Sequence, residues 1–196
     1  MNAEILKEQI KRYQPFNAQE KRDKMEILRL METEEDLFGR KANAHFTASG
    51  WVTNRDGSRI LMAYHNIYDS WSWLGGHADG ETDLLGVAIR EVEEESGLKD
   101  VRPLMEDIFS LEILTVDGHE KRGEYVSSHL HVNLTYLLQA DDRQALHEKA
   151  DENRAVSWFA RREAPDASSE KWMRERIYEK LNQKLELWLR QKEQPR

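Results

Sequence analysis

Apolar residues recur along this chain at helical spacing at both ends and near the middle, and at alternate positions between. Residues 3–13 and 17–33 read as amphipathic helices separated at Pro15. In the second, Met25, Leu28 and Met31, or Ile27, Leu30 and Met31, make the stripe, and Asn17 or Gln19 opens it. The period then shortens to two. His45–Thr53 and Arg59–His65 read as strands joined through Asn54-Arg55-Asp56-Gly57-Ser58, where Asp-Gly is a hairpin signal. Asn66–Trp73 leads on from them, and Trp71 and Trp73 share a side if this stretch is extended. Helical spacing returns in Leu85, Ala88, Ile89 and Val92, between Asp83 as N-cap and Gly97 as stop.

Beyond Gly97, Val101–Met105 and Ile108–Val116 read as strands and Asp117–Gly123 as a loop. His129–Leu138 alternates most strictly, with His129, His131, Asn133 and Thr135 on one face and Leu130, Val132, Leu134 and Tyr136 on the other. Ala140–Asn153 is a long acidic loop, or a loop with a short helix, and Ala155–Ala160 is a short strand. Ser168–Gln191 reads as a long closing helix, capped at Ser168 or Ser169, with Met173, Ile177, Leu181, Leu185 and Trp188 as its stripe.

Composition narrows the classes. With 196 residues, 39% hydrophobic and 34% charged, the chain suits one medium globular domain with a strongly polar surface. A net charge of −8 without a basic stripe argues against duplex nucleic acid as the partner, though not against a phosphorylated small molecule met through a metal ion. The absence of cysteine excludes disulfides, thiolate metal sites and a cysteine nucleophile. No apolar run reaches the ~18 residues of a membrane span, and the N-terminus lacks a basic start followed by an apolar stretch, so the expectation is a cytoplasmic protein without a membrane partner.

Candidate chemistry gathers in the central helix. At about 100° per residue, Glu91, Glu94 and Glu95 fall on one face. Like charges so placed repel by roughly 0.2–0.5 kcal/mol per close pair on an exposed helix. A hard divalent cation offsets that repulsion, because it gathers carboxylate oxygens; a solvated acidic face is the alternative. His129 and His131 offer an i, i+2 pair of transition-metal ligands, but spacing indicates no third nitrogen or sulfur ligand, so they read as a solvated or cleft-lining face. Trp71 and Trp73 stack on a base or wall a cleft in one reading, and pack in the core in the other.

The stretch from Gly76 to Leu98 resembles the Nudix box. Gly76 opens it, Arg90-Glu91 follows at the family's distance, and Val92, Glu94-Glu95, Gly97 and Leu98 complete it in register. One position departs: Thr82 stands where the family has its first Glu, flanked by Glu81 and Asp83. The resemblance implies an α/β (α+β) fold, a Nudix-type α/β/α sandwich with a mixed sheet over residues 43–196, preceded by an N-terminal helical extension at 1–42 that packs on the domain or makes a homodimer contact. It also implies hydrolysis of a nucleoside diphosphate linked to another moiety, with Mg²⁺ (or Mn²⁺) as cofactor and a small nucleotide-type diphosphate as partner. On the family pattern Glu94 and Glu95 are metal ligands, Glu91 is a ligand or the base, the Gly75 carbonyl is a further ligand, and Arg90 orients the glutamates. Glu152, six residues before Trp158, matches the place of a carboxylate that completes the site, so Glu91, Glu94 and Glu152 all stand as candidate bases. Trp71, Trp73, His129 and His131 are the candidate substrate contacts.

The family's substrate markers are missing: Glu112-Ile113-Leu114-Thr115 carries neither the proline of ADP-ribose hydrolases nor the tyrosine of dinucleoside-polyphosphate hydrolases, and the signatures of the NADH and coenzyme A classes are absent. The cysteine of the isopentenyl diphosphate isomerase branch is absent too. The alternative function is a non-catalytic module of the family that senses a nucleotide or sugar phosphate.

Overall fold

A computed structural model describes residues 2–121 and 123–193. The fold is α+β, with helices and a mixed sheet. Its strands are β1 (Ala44–Thr53), β2 (Arg59–His65), β3 (Ser70–Ser72), β4 (Leu74–His77), β5 (Arg102–Pro103), β6 (Ser110–Val116), β9 (His129–Gln139) and β10 (Asn153–Ala160). The order along the sheet is β10-β2-β1-β9-β5, with β3 paired to β2, β4 to β1 and β6 to β9. The helices are α1 (Ala3–Arg12), α2 (Ala18–Thr33), α3 (Leu84–Ser96), α4 (Ala164–Ala167) and α5 (Glu179–Glu193), the last entered through a π-helical turn at Met173–Tyr178. The chain forms two compact units that interleave along the sequence. None of the helices among the described residues is long and apolar enough to cross a membrane.

The first unit comprises residues 1–49, 75–88 and 105–136. Both N-terminal helices start on an asparagine cap: Asn2 Oδ1 accepts from Ile5 N and Asn17 Oδ1 from Glu20 N, each at 2.9 Å. Leu6, Ile10 and Ile27 are fully buried, and α2 packs on β6. Glu20 is buried with them: its carboxylate accepts from the Tyr13 hydroxyl and Phe16 N, both at 2.6 Å, and from Ser110 Oγ at 2.8 Å. β6 and β9 run antiparallel from Ser110↔Thr135 to Val116↔His129. The segment expected to be a loop after Val116 is instead a small hairpin, β7 (His119–Lys121) with β8 (Glu124–Val126), because Gly123 takes a positive φ of 81° that closes the turn.

β4 lies against β1 so closely that a side chain on Gly75 has no room. A Cβ there would sit 2.4 Å from the Ala48 carbonyl oxygen and 2.7 Å from Ser49 Cα, both backbone atoms. Gly75→Ala must therefore push two strands apart. The expected cost is about 1–3 kcal/mol of stability, read from the urea midpoint; an unchanged midpoint would show that β4 yields freely.

The second unit comprises residues 50–74, 89–104 and 137–196. The Asp-Gly turn forms as expected, with Gly57 at φ 74°, and Thr53 pairs with Ile60 across it. β10 adds to the other side of β2, from Asn153↔His65 to Ala160↔Arg59, with an irregularity between Asn153 and Val156. The strand expected at Val101–Met105 shrinks to Arg102–Pro103, paired with Gln139 and Leu138. The closing helix begins later than expected. Ser168 ends α4 instead, and its hydroxyl lies 3.1 Å from Ser70 Oγ. Ile177, Leu181 and Leu185 of its stripe are fully buried, and Tyr178 stacks on Trp51 at 5.6 Å.

α3 runs as predicted. Asp83 Oδ1 accepts from Gly86 N at 3.3 Å, and Gly97 ends the helix at φ 74°. Its buried face is Leu84, Val87, Ala88 and Val92, whereas Leu85 and Ile89 are only half-buried. The apolar stripe is thus turned slightly from the one expected, still at i, i+3, i+4 and i+8.

Candidate active site

The glutamates of α3 meet a loop that is tied down at several points. Lys99 and Gln144 exchange two hydrogen bonds of 3.0 Å, and His147 N donates to the Ser96 carbonyl at 2.8 Å. The loop then closes on itself: Glu152 N and Asn153 N both donate to the Lys149 carbonyl at 2.8 Å. Asn153, fully buried, donates through Nδ2 to the Glu95 carbonyl at 3.0 Å. These bonds fix the long acidic segment 140–153 against the C-terminal end of α3, without the short helix that was one expectation for it.

The result is a cluster of charge. Lys149 Nζ lies 3.2 Å from Glu94 Oε2 and 3.1 Å from Glu152 Oε2, bridging the two carboxylates. Burial opposes the charge on Lys149, but its bonds to Glu152 and Glu94 outweigh that and hold its ammonium up to about 12. Arg90 reaches Glu91 at 3.5 Å and Glu94 at 3.9 Å, so this arginine lies beside two box glutamates in a chain that has Thr82 at the family's first Glu position. Glu95 is buried at 5% exposure. Sequence reasoning missed Lys149. A lone lysine in a polar loop carries no periodicity, and only the fold shows that it lands between two candidate site carboxylates.

Glu91 is held largely out of solvent. Its side chain is 16% exposed. Burial raises its proton affinity first and the Glu94 charge adds to this, while Lys149 and Arg90 pull the other way. A carboxyl that binds its proton more tightly when folded lowers stability once pH exceeds its folded value, and that penalty disappears as pH falls through it. In chelator, Glu91→Gln is therefore expected to raise the urea midpoint at neutral pH, with the gain vanishing below the ordinary carboxylate range. A variant less stable than wild type at neutral pH would contradict this.

Trp71 packs edge-on against Tyr64 at 5.4 Å and Phe159 at 4.8 Å, and Trp73 against Tyr178 at 5.6 Å. Both tryptophans are half-buried, each with aromatic neighbours. Gly75 belongs to the first unit, as do His129 and His131. The expectation of no third nitrogen beside that histidine pair is corrected: His45 from β1 and His77 from β4 join it, with ligand atoms of all four within 4.8 Å of one another. Pairing of distant strands made the group, so spacing along the chain did not reveal it. His131 is pushed down to about 2 by burial, reinforced by His77, His45 and His129.

A search of curated proteins finds no match. Among solved structures, the chain is similar to a C. elegans Ap4A hydrolase in a binary complex, at 18% identity and a TM-score of 0.54 over 74% of this chain and 98% of that one. It is similar to a NUDIX-family hydrolase from Clostridium perfringens, at 20% identity and a TM-score of 0.50 over 74% and 97%. The Nudix hydrolase RenU from M. smegmatis aligns at 12% identity and a TM-score of 0.51 over 78% and 89%. At these identities the likeness concerns the fold. The NUDIX domain model matches residues 43–181, most of the chain and all of the glutamate stripe, and so the chain belongs to the NUDIX family.

Proposed function

We propose that this protein hydrolyses a phosphoanhydride bond in a nucleoside diphosphate linked to another moiety, with Mg²⁺ or Mn²⁺ as cofactor. Membership of the NUDIX family supports pyrophosphate-bond hydrolysis in general. The observation that carries the reading to this chain is the convergence of Glu94 and Glu152 on Lys149, with Arg90 bridging Glu94 to Glu91. The donor set fits the metal. Carboxylate oxygens suit a hard divalent ion, and the place already holds a cationic group between two of them. Glu94 and Glu95 are the proposed ligands.

When bound, the ion would neutralise the diphosphate and lower the proton affinity of water. The remaining work falls to the chain. Arg90 holds Glu91 and Glu94 in place. Glu91, whose surroundings raise its affinity for a proton, is the proposed base and takes a proton from the attacking water. The water oxygen bonds to one phosphorus, the bridging P–O bond breaks, and the leaving phosphate departs with the electron pair. Glu152 keeps the Lys149 ammonium from pairing with Glu94 alone.

A panel of nucleoside diphosphate derivatives, assayed for monophosphate release with Mg²⁺ or Mn²⁺, tests the proposal. Metal-dependent turnover of at least one member supports it and identifies the attached group. Tight binding of a member without turnover would favour the sensor reading in its place.

A further inference from the structure

We propose that His45, His77, His129 and His131 form a site for one borderline divalent transition ion of the Zn²⁺ kind, which cross-links the first unit. The cluster shares no residue with the glutamate stripe, and the proposed hydrolysis assigns it no step.

Three observations carry the inference. The four side chains come from three strands, β1, β4 and β9, yet ligand atoms from all of them lie within 4.8 Å of one another. Zn–N bonds of about 2.0–2.1 Å place the nitrogens of a tetrahedral site about 3.3 Å apart. His129 Nε2 and His131 Nε2 are already 3.2 Å apart, and no ligand atom of the four lies more than 4.8 Å from another.

The second observation is an orphaned nitrogen. His45 is 4% exposed, and its Nε2 is buried with no hydrogen-bond partner. A buried polar atom left so costs about 1–3 kcal/mol, and a metal ion removes that cost.

The third is the outer bonding. His45 Nδ1 lies 3.2 Å from the Ala42 carbonyl, and His129 Nδ1 lies 2.9 Å from the Ser127 carbonyl. A carbonyl accepts only from N–H, so in both rings the proton is on Nδ1 and Nε2 carries the lone pair that a metal ion needs, that of His129 turned to His131 Nε2. Nitrogen donors select zinc and its neighbours in the series over Mg²⁺, which prefers oxygen.

The test uses the whole chain, stripped with chelator and titrated calorimetrically with Zn²⁺ in a large excess of Mg²⁺. Wild type is expected to bind one Zn²⁺ per chain and to melt at higher temperature with it. Co²⁺ at the site should give the strong visible bands of tetrahedral nitrogen ligation. The double variant His45→Gln/His131→Gln is expected to weaken binding by about 100-fold or more. Half-buried His129→Gln provides the same reading if the double variant does not fold. His65→Gln, outside the cluster, and Glu94→Gln should bind as wild type does. A wild type that takes up no Zn²⁺ under these conditions, or binding lost in Glu94→Gln but kept in the histidine variants, would overturn the assignment. Neither result depends on finding a substrate, so failure here is separate from failure of the proposed hydrolysis.

Discussion

Glu94→Gln is expected to reduce kcat by on the order of 100-fold or more and to raise the Mg²⁺ concentration needed for half-maximal rate. Glutamine preserves the length and shape of the side chain but removes the charge that a divalent ion needs. Glu94 is 47% exposed, so the fold does not depend on it, and the stability change should stay within about 0.5 kcal/mol. Loss of rate is then a statement about the site. The variant also removes a charged partner from both Lys149 and Arg90. Lys149 should turn wholly to Glu152, leaving Glu91 with less like charge beside it. Full activity in Glu94→Gln would remove this residue from the metal site.

The largest expected effect on stability lies far along the sequence from that chemistry. Glu20→Ala is expected to cost about 3 kcal/mol or more, because three donors lose a buried acceptor at roughly 1–3 kcal/mol each. They are the Tyr13 hydroxyl and Phe16 N at 2.6 Å and Ser110 Oγ at 2.8 Å. The same serine also reaches Glu112, which in turn accepts from Asn133 Nδ2 and Thr135 Oγ1, each at 3.2 Å. The network runs from the α1–α2 connection through β6 to β9, so its loss should loosen the attachment of both N-terminal helices. Against a typical total of about 5–15 kcal/mol, such a loss is readily measured by urea unfolding. A change below about 1 kcal/mol would mean that water replaces the carboxylate at little cost.

Much of this was legible in the sequence where the signal is local. The hairpin at Asp56-Gly57, the cap at Asn17, the stop at Gly97 and the glutamate stripe each depend on residues within one or two turns of chain, and each appears where the spacing puts it. What failed to show was non-local. Lys149 reaches Glu94 only because the loop beyond β9 is pinned to the end of α3. His45 and His77 join His129 and His131 only through strand pairing. The hairpin of β7 and β8 was hidden by its composition, since Asp117-Gly118-His119 and Gly123 read as loop chemistry. Leu85 and Ile89 proved less buried than Leu84 and Val87 because the packing of α3, not its periodicity alone, decides which edge of the stripe is covered.

The measurement closest to the central claim is turnover of the best panel substrate in ¹⁸O-labelled water, with Mg²⁺, followed by mass spectrometry of both products. Attack of water on a diphosphate phosphorus predicts one ¹⁸O in the phosphate of one product and none in the other, with no reaction once the metal is chelated. Label at carbon, label in neither product, or undiminished turnover in chelator would contradict the account.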